Sequence, residues 1–390
     1  MAEPSTRRRD AAVWAAAVAV LGAFCAARWL VAAHREISRF VVAGSAYVSR
    51  AGAPRFLHVF AHSRGYDGQF YWRLAADPFQ LHLAANLGVR LDSAYRLNRI
   101  LYPTLAWLVA AGRVPEVAWA MVAVNLAAIL ALVALALRAA RRRGLDARWA
   151  LVALAVPGLV GSLSRDLTEA LAAVLGVAGV IAYRESRGAL AGACLAGAVL
   201  TRETMVVVVV LYALNALVAI ARRRRGLGRV DLAWAVPLVA LALWQLVVHL
   251  DVGVTPLLSS AGSGDLGVPL WGLVHSVPGW FSPHSTHQLA RGGLYVLQSV
   301  GAAWLLLQAW RNRRAVAVIE RVVLGVFVAL WLCESAQGWA APFDARYGAF
   351  PMALAWLQLL EGGDRSRLTR AIVVLGPVVV LTALWRVAVI

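Results

Sequence analysis

The stretch Gly65-Tyr66-Asp67-Gly68-Gln69-Phe70-Tyr71-Trp72-Arg73-Leu74-Ala75-Ala76-Asp77-Pro78-Phe79 is the most distinctive in the chain. A loop carboxylate such as Asp67 has two chemical uses. It can take a proton from a hydroxyl as a general base, or it can cap the start of a helix. The spacing allows both. A short helix can begin at Gly68, and Asp77-Pro78 ends it, because a residue before proline disfavours helix. Phe70, Tyr71, Leu74 and Phe79 then share an apolar face, with aromatics suited to the level of lipid headgroups. This predicts an amphipathic helix lying on the outer leaflet, with Asp67 at its start and facing the bundle. Tyr66, Gln69 and Tyr71 supply hydrogen-bonding groups that a helix floating on lipid does not need.

Four further clusters carry polar groups. In Ser162-Leu163-Ser164-Arg165-Asp166-Leu167-Thr168-Glu169, Ser164 or Asp166 can cap the helix that follows. Glu169 then falls inside an apolar segment, where a carboxylate faces a cavity or a partner; a plain Arg–Glu pair is the simpler alternative. Arg202 and Glu203 sit between two apolar runs in Leu200-Thr201-Arg202-Glu203-Thr204. Adjacent residues do not face each other on a helix, so their partners must come from elsewhere. Arg202 can bind a phosphate, or the pair can be hydrated charges at a corner. In Phe343-Asp344-Ala345-Arg346-Tyr347, Arg346 suits a lipid phosphate or anchors the interface. His284 and His287 form an HxxH pair in a long loop. Without neighbouring carboxylates that spacing is a weak metal signal, and no metal ligands are assigned.

The elements that position these residues are membrane helices. Of 390 residues, 61% are hydrophobic and 15% charged, with mean hydropathy +0.69. Soluble domains carry about 45–50% apolar and about 25% charged residues, so neither a soluble globule nor disorder fits. The apolar residues come in long blocks without alternation, which excludes a β-barrel and predicts an all-α polytopic membrane protein. Blocks at 11–33, 115–137, 149–163, 167–183, 189–201, 203–221, 231–250, 291–310, 315–333, 346–360 and 369–388 give about 11 transmembrane helices. The first follows Arg7-Arg8-Arg9, is longer than a signal-peptide core, and is read as uncleaved.

The net charge is +18 and every basic side chain is arginine. In a soluble chain this would suggest nucleic acid; here it fits cytoplasmic anchoring, and no nucleic-acid partner is expected. Arginine codons are G+C-rich, which points to a bacterial cytoplasmic membrane. If Arg99–Gly112 lies at the interface rather than crossing, the N-terminus, 138–148, 184–187, 222–229, 311–314 and 364–370 all fall inside. Those segments hold 21 of the 38 arginines, as the positive-inside rule requires. The remaining charge, including Asp67, Arg165, Arg202 and Glu203, then gathers on the outer face around a loop at 34–114. Cys25, Cys194 and Cys333 are an odd, scattered set and form no disulfide framework.

An acidic motif in the first outer loop, followed by Leu200-Thr201-Arg202-Glu203-Thr204 at a later outer corner, resembles the GT-C superfamily of integral-membrane glycosyltransferases. Tyr66-Asp67-Gly68-Gln69-Phe70-Tyr71 is similar to the motifs of its GPI-mannosyltransferase-like and bacterial cell-surface glycopolymer members. Arg99-Ile100-Leu101-Tyr102-Pro103 resembles the second juxtamembrane helix of that fold. The resemblance covers residues 1–250, which it implies are a catalytic module, with 251–390 an outer loop and variable helices. It implies transfer of a sugar from a polyprenyl-phosphate donor to an extracytoplasmic glycan or lipid acceptor, with inversion, and with Asp67 as general base. One departure bears on a divalent cation: Gln69 stands where a second acid would be.

The residue chemistry suits that reaction. A hydroxyl acceptor needs a base, and a phosphate leaving group needs cationic donors, for which arginine is best shaped. Arg165, Arg202 and Arg346 are the candidates. Tyr66, Gln69, Asp166, Glu169, Glu203 and Asp344 can orient sugar hydroxyls or those arginines. The competing reading is a transporter or flippase of a lipid-linked sugar or other amphiphile, which needs polar residues reaching both faces. An acyl or phosphoryl transferase would need a nucleophile or metal constellation, for which His284 and His287 are the only hint. A structural scaffold leaves the outer charge without a purpose.

Overall fold

The computed structural model describes residues 4–259, 266–281, 286–312, 317–339 and 348–389. Most of them are helical, and the strands form a two-stranded parallel ladder that pairs Ala43–Gly44 with Val59–Phe60. Among the described residues, six helices are long and apolar enough to cross a bilayer: Arg7–Leu30, Val114–Arg142, Glu203–Ala221, Arg229–Val252, Thr286–Arg311 and Arg365–Ala388. A seventh is added if Ala147–Leu154 and Pro157–Ser164, bent by 59°, make one span. Four expected spans are shorter helices: Glu169–Arg184, Gly188–Thr201, Val318–Leu332 and Ala349–Gly362 have 16, 14, 15 and 14 residues. At about 1.5 Å per residue each falls short of a hydrocarbon core about 30 Å thick.

The Leu101–Val109 helix, in the segment expected to lie at the interface, is shorter still. Its nine residues reach only about 14 Å, about half the thickness of a hydrocarbon core.

Two compact units are interleaved in the chain. One comprises 1–28, 127–161 and 265–389; the other comprises 29–126 and 162–264. In the first, the Thr286–Arg311 helix packs on Ala349–Gly362 and Arg365–Ala388. Gln298 Nε2 donates to Thr382 Oγ1 at 2.7 Å, and Trp356 Nε1 to the Ala155 carbonyl at 2.9 Å.

The second unit carries the loop motifs. Its Glu169–Arg184, Gly188–Thr201 and Leu232–Val252 helices pack in sequence. The approach is close because two facing positions lack side chains. A Cβ on Gly188 would lie 1.7 Å from the Arg229 carbonyl oxygen, and one on Gly192 2.5 Å from that of Leu232. Small residues allow such backbone contact between membrane helices. The 34–114 loop has its own apolar core of Phe70, Leu74, Leu81, Leu91, Ala94 and Leu97, closed by Val248. Trp244 Nε1 donates to the Leu97 carbonyl at 2.7 Å and Gln245 Nε2 to Asn98 Oδ1 at 2.8 Å, which ties the loop to the Leu232–Val252 helix.

Candidate functional site

The helix expected after Asp67 runs Gly68–Ala76 and stops at Asp77, before Pro78. Its setting differs from a helix resting on lipid, since all nine residues are buried. Only Phe79 of the expected apolar face is exposed. Gly68 makes this burial possible: a Cβ there would lie 2.5 Å from the Arg165 carbonyl oxygen and 2.7 Å from that of Val41. The loop before it is pinned too, because Tyr66 N donates to the Val42 carbonyl at 2.8 Å.

Asp67 itself adopts right-handed helical dihedrals and makes no side-chain cap. Its carboxylate turns instead to two arginines. Oδ2 lies 2.7 Å from Arg96 Nη1 and 3.5 Å from Arg99 Nη1. The capping alternative is thereby removed.

These arginines belong to the short turn Ala94–Asn98 and the residue after it. Ser93 starts the turn by accepting the Tyr95 N–H. Arg96 is gripped by Asp92 through Nε at 2.9 Å and Nη2 at 2.8 Å, and lies over the Phe70 ring. Burial opposes its charge, but the Asp67 and Asp92 carboxylates outweigh this and raise its pKa above the usual value. Arg99 is 1% exposed and fully engaged below it. Nε and Nη2 donate to Glu203 Oε2 and Oε1 at 2.9 and 2.8 Å, and Nη1 to the Tyr71 hydroxyl at 2.5 Å. Tyr95 also donates to Glu203. Burial pushes the Tyr71 phenol up, so it stays neutral.

A second buried pair lies alongside. Arg202 donates to Glu169 Oε1, and Glu169 Oε2 is inaccessible and makes no hydrogen bond. Arg202 and Glu203, adjacent in sequence, thus have separate partners 33 and 104 residues away, as the spacing required. Arg202, expected to meet a phosphate, is only 3% exposed. In the first turn of the Glu169–Arg184 helix, Ser162 Oγ accepts the Ala170 N–H at 3.1 Å. Asn125 Nδ2 completes this layer by donating to the Tyr102 hydroxyl at 2.9 Å.

The expected residues therefore fall into two tiers. Tyr66, Asp67 and Arg165 are half-buried at the edge, with the Arg165 guanidinium 4.3 Å from the Tyr66 ring centroid. Asp166, Glu169, Arg202 and Glu203 are buried beneath. Asp166 takes a left-handed conformation, φ 52°, which aspartate tolerates better than most residues. The Gln69 amide is engaged by the backbone: its Oε1 accepts from Gly44 N at 3.0 Å and its Nε2 donates to the Arg64 carbonyl at 2.9 Å. It braces the loop behind Asp67. Asp344, Arg346 and His284 lie outside the described residues. His287 rests its ring 4.4 Å from that of Trp385.

Arg96, Arg99 and Tyr95 were missed by sequence reasoning. The available signal was the i,i+4 spacing of Asp92 and Arg96, with Arg99 directly before an apolar helix.

The arrangement offers a reachable carboxylate, 22% exposed, beside guanidinium groups that hold it against a rigid floor. Such a group can take a proton, and the Arg165 guanidinium at the edge can receive an anion. Two guanidinium groups already lie on Asp67 Oδ2, and the Gln69 amide is spent on the backbone. Among the described residues no group of three or more His, Cys, Asp and Glu is placed to hold a metal. No protein-family model, no curated protein and no solved structure matches this chain.

Proposed function

We propose that this protein is a membrane glycosyltransferase that moves a sugar from a polyprenyl-phosphate donor to an extracytoplasmic glycan or lipid, with Asp67 as general base. The carrying observation is that Asp67 is partly exposed, plays no capping role, and stands beside Arg96 and Arg99 while Arg165 stacks on Tyr66. The acceptor oxygen attacks the anomeric carbon as its proton passes to Asp67. The bond from that carbon to the phosphate oxygen breaks, and polyprenyl phosphate leaves with the electron pair. Arg165, the cation stacked on Tyr66 at the edge, receives the developing phosphate charge, while Arg96 stays with Asp67. Base and leaving group act from opposite sides of the sugar, so the anomeric centre inverts. Glu203 and Glu169 hold Arg99 and Arg202 in place and touch no substrate.

In this reading the chain lies in a bacterial cytoplasmic membrane with its N-terminus inside and the Asp67 loop outside. The four shorter helices complete eleven passages where the bilayer thins around them.

The test is transfer from a panel of radiolabelled polyprenyl-phosphate sugars, in membranes carrying wild type or Asp67→Asn at matched expression. Loss of a general base costs about 10²–10⁴-fold. Label moved by wild type and lost by that factor in the variant supports the reading. Equal transfer by both removes Asp67 from the chemistry. No transfer from any donor refutes the enzyme, and flipping of a lipid-linked sugar is then the activity to measure.

A further inference from the structure

The outer loop contains a cleft that shares no lining residue with the Asp67 cluster. It has a volume of about 610 Å³ and is formed by residues 36–38, 50 and 53–59. Ligand sites typically occupy about 300–1,000 Å³. The cleft is built rather than incidental. Ser38 is 5% exposed, and its Oγ accepts the His58 N–H at 3.0 Å, which fixes one wall to the other. Arg50 Nη2 donates to the Val59 carbonyl at 3.1 Å, next to the parallel ladder.

Its charge is unbalanced. Glu36 is the single acid in the lining, and it is already engaged by Arg39 Nε at 2.8 Å and by His58 Nδ1 at 2.9 Å. Arg50 and Arg55 make no ion pair among the described residues. Two guanidinium charges therefore face a cleft whose only carboxylate is neutralised. Arginine is the side chain whose planar fork matches phosphate oxygens. The rest of the wall is apolar, from Ile37, Pro54, Phe56 and Leu57, and suits a short carbon skeleton attached to the anion.

We propose that this cleft is a second binding site of the outer loop, and that it takes the phosphate of a phosphorylated polyol or sugar. Arg50 and Arg55 hold the phosphate, and Phe56 covers the carbon body. The proposal does not depend on the transferase reading, since it shares none of its residues.

The phosphate can come from a soluble ester or from a lipid headgroup, and two measurements separate them. The first is calorimetric titration of the full chain, in phosphatidylcholine nanodiscs, with glycerol 3-phosphate. The second is native mass spectrometry of phosphatidylglycerol against phosphatidylcholine retained by the detergent-purified protein. Arg55→Gln is the key variant, because Arg55 is exposed and unpaired and its loss leaves the fold alone. Arg113→Gln, 72% exposed, is the control for general charge.

A charge-assisted hydrogen bond to phosphate corresponds to about a tenfold change in affinity. Arg55→Gln should weaken binding by about tenfold and Arg50→Gln/Arg55→Gln further, with Arg113→Gln unchanged. That pattern with glycerol 3-phosphate supports a soluble occupant, and the same pattern in retained phosphatidylglycerol supports a lipid one. No saturable heat together with no lipid preference overturns the proposal. So does equal weakening by Arg113→Gln, which would mean attraction to a basic surface rather than a site.

Discussion

Glu203→Gln is the sharpest probe of the floor beneath Asp67. Arg99 is 1% exposed and the Glu203 side chain 8%, so this is a desolvated pair with two direct bonds at 2.8 and 2.9 Å. At about 4 Å between charge centres, and an effective dielectric near 20, the attraction is about 4 kcal/mol. Glutamine keeps the shape and one acceptor but removes the charge, leaving Arg99 buried with Tyr71 and the edge of Asp67. Removing one partner of a buried pair costs about 3–5 kcal/mol, and the retained acceptor places this variant near the lower figure. Arg99→Met should cost a similar amount. The double variant Arg99→Met/Glu203→Gln should cost less than the sum by about 2 kcal/mol or more, because no lone charge is left behind. Equilibrium unfolding in mixed SDS micelles measures all four proteins of this cycle. A Glu203→Gln protein within about 0.5 kcal/mol of wild type, or an additive double variant, would refute the reasoning.

Asp67→Asn should keep the fold, because Arg96 retains its two bonds to Asp92 and no buried charge is left unpaired; an unchanged melting curve alongside lost transfer is the expected signature. Gly68→Ala should destabilise by about 1–3 kcal/mol, since a Cβ meets two backbone carbonyls at 2.5 and 2.7 Å; a melting temperature equal to wild type would contradict that packing. Gln69→Glu removes the donor to the Arg64 carbonyl and should cost about 1–3 kcal/mol. It should create no response to added magnesium or manganese, and a gain of metal-dependent transfer would show that the site accepts a cation. Trp356→Phe leaves the Ala155 carbonyl without its donor in the other unit, and thermal unfolding should register about 1–2 kcal/mol.

The amino-acid sequence by itself determined the membrane class and the short helix after Asp67. Hydropathy in long blocks has one physical solution in a bilayer, helices whose backbone groups pair internally. Pro78 stops the Gly68–Ala76 helix through a local steric effect, so its end was legible within two residues. The opposite orientations of Arg202 and Glu203 were legible for the same local reason. Tertiary structure alone decided which acid meets which arginine. Arg99 and Glu203 are 104 residues apart, and no periodicity links them. It also turned Asp67 from a cap to an ion pair and gave the Gln69 amide to the backbone. Both outcomes follow from burial of the whole Gly68–Ala76 helix, which hydropathy placed on lipid. A polar side chain enclosed by protein must satisfy its hydrogen bonds with whatever the fold brings near, and that neighbourhood is set by chain packing rather than by the residue's own neighbours in sequence.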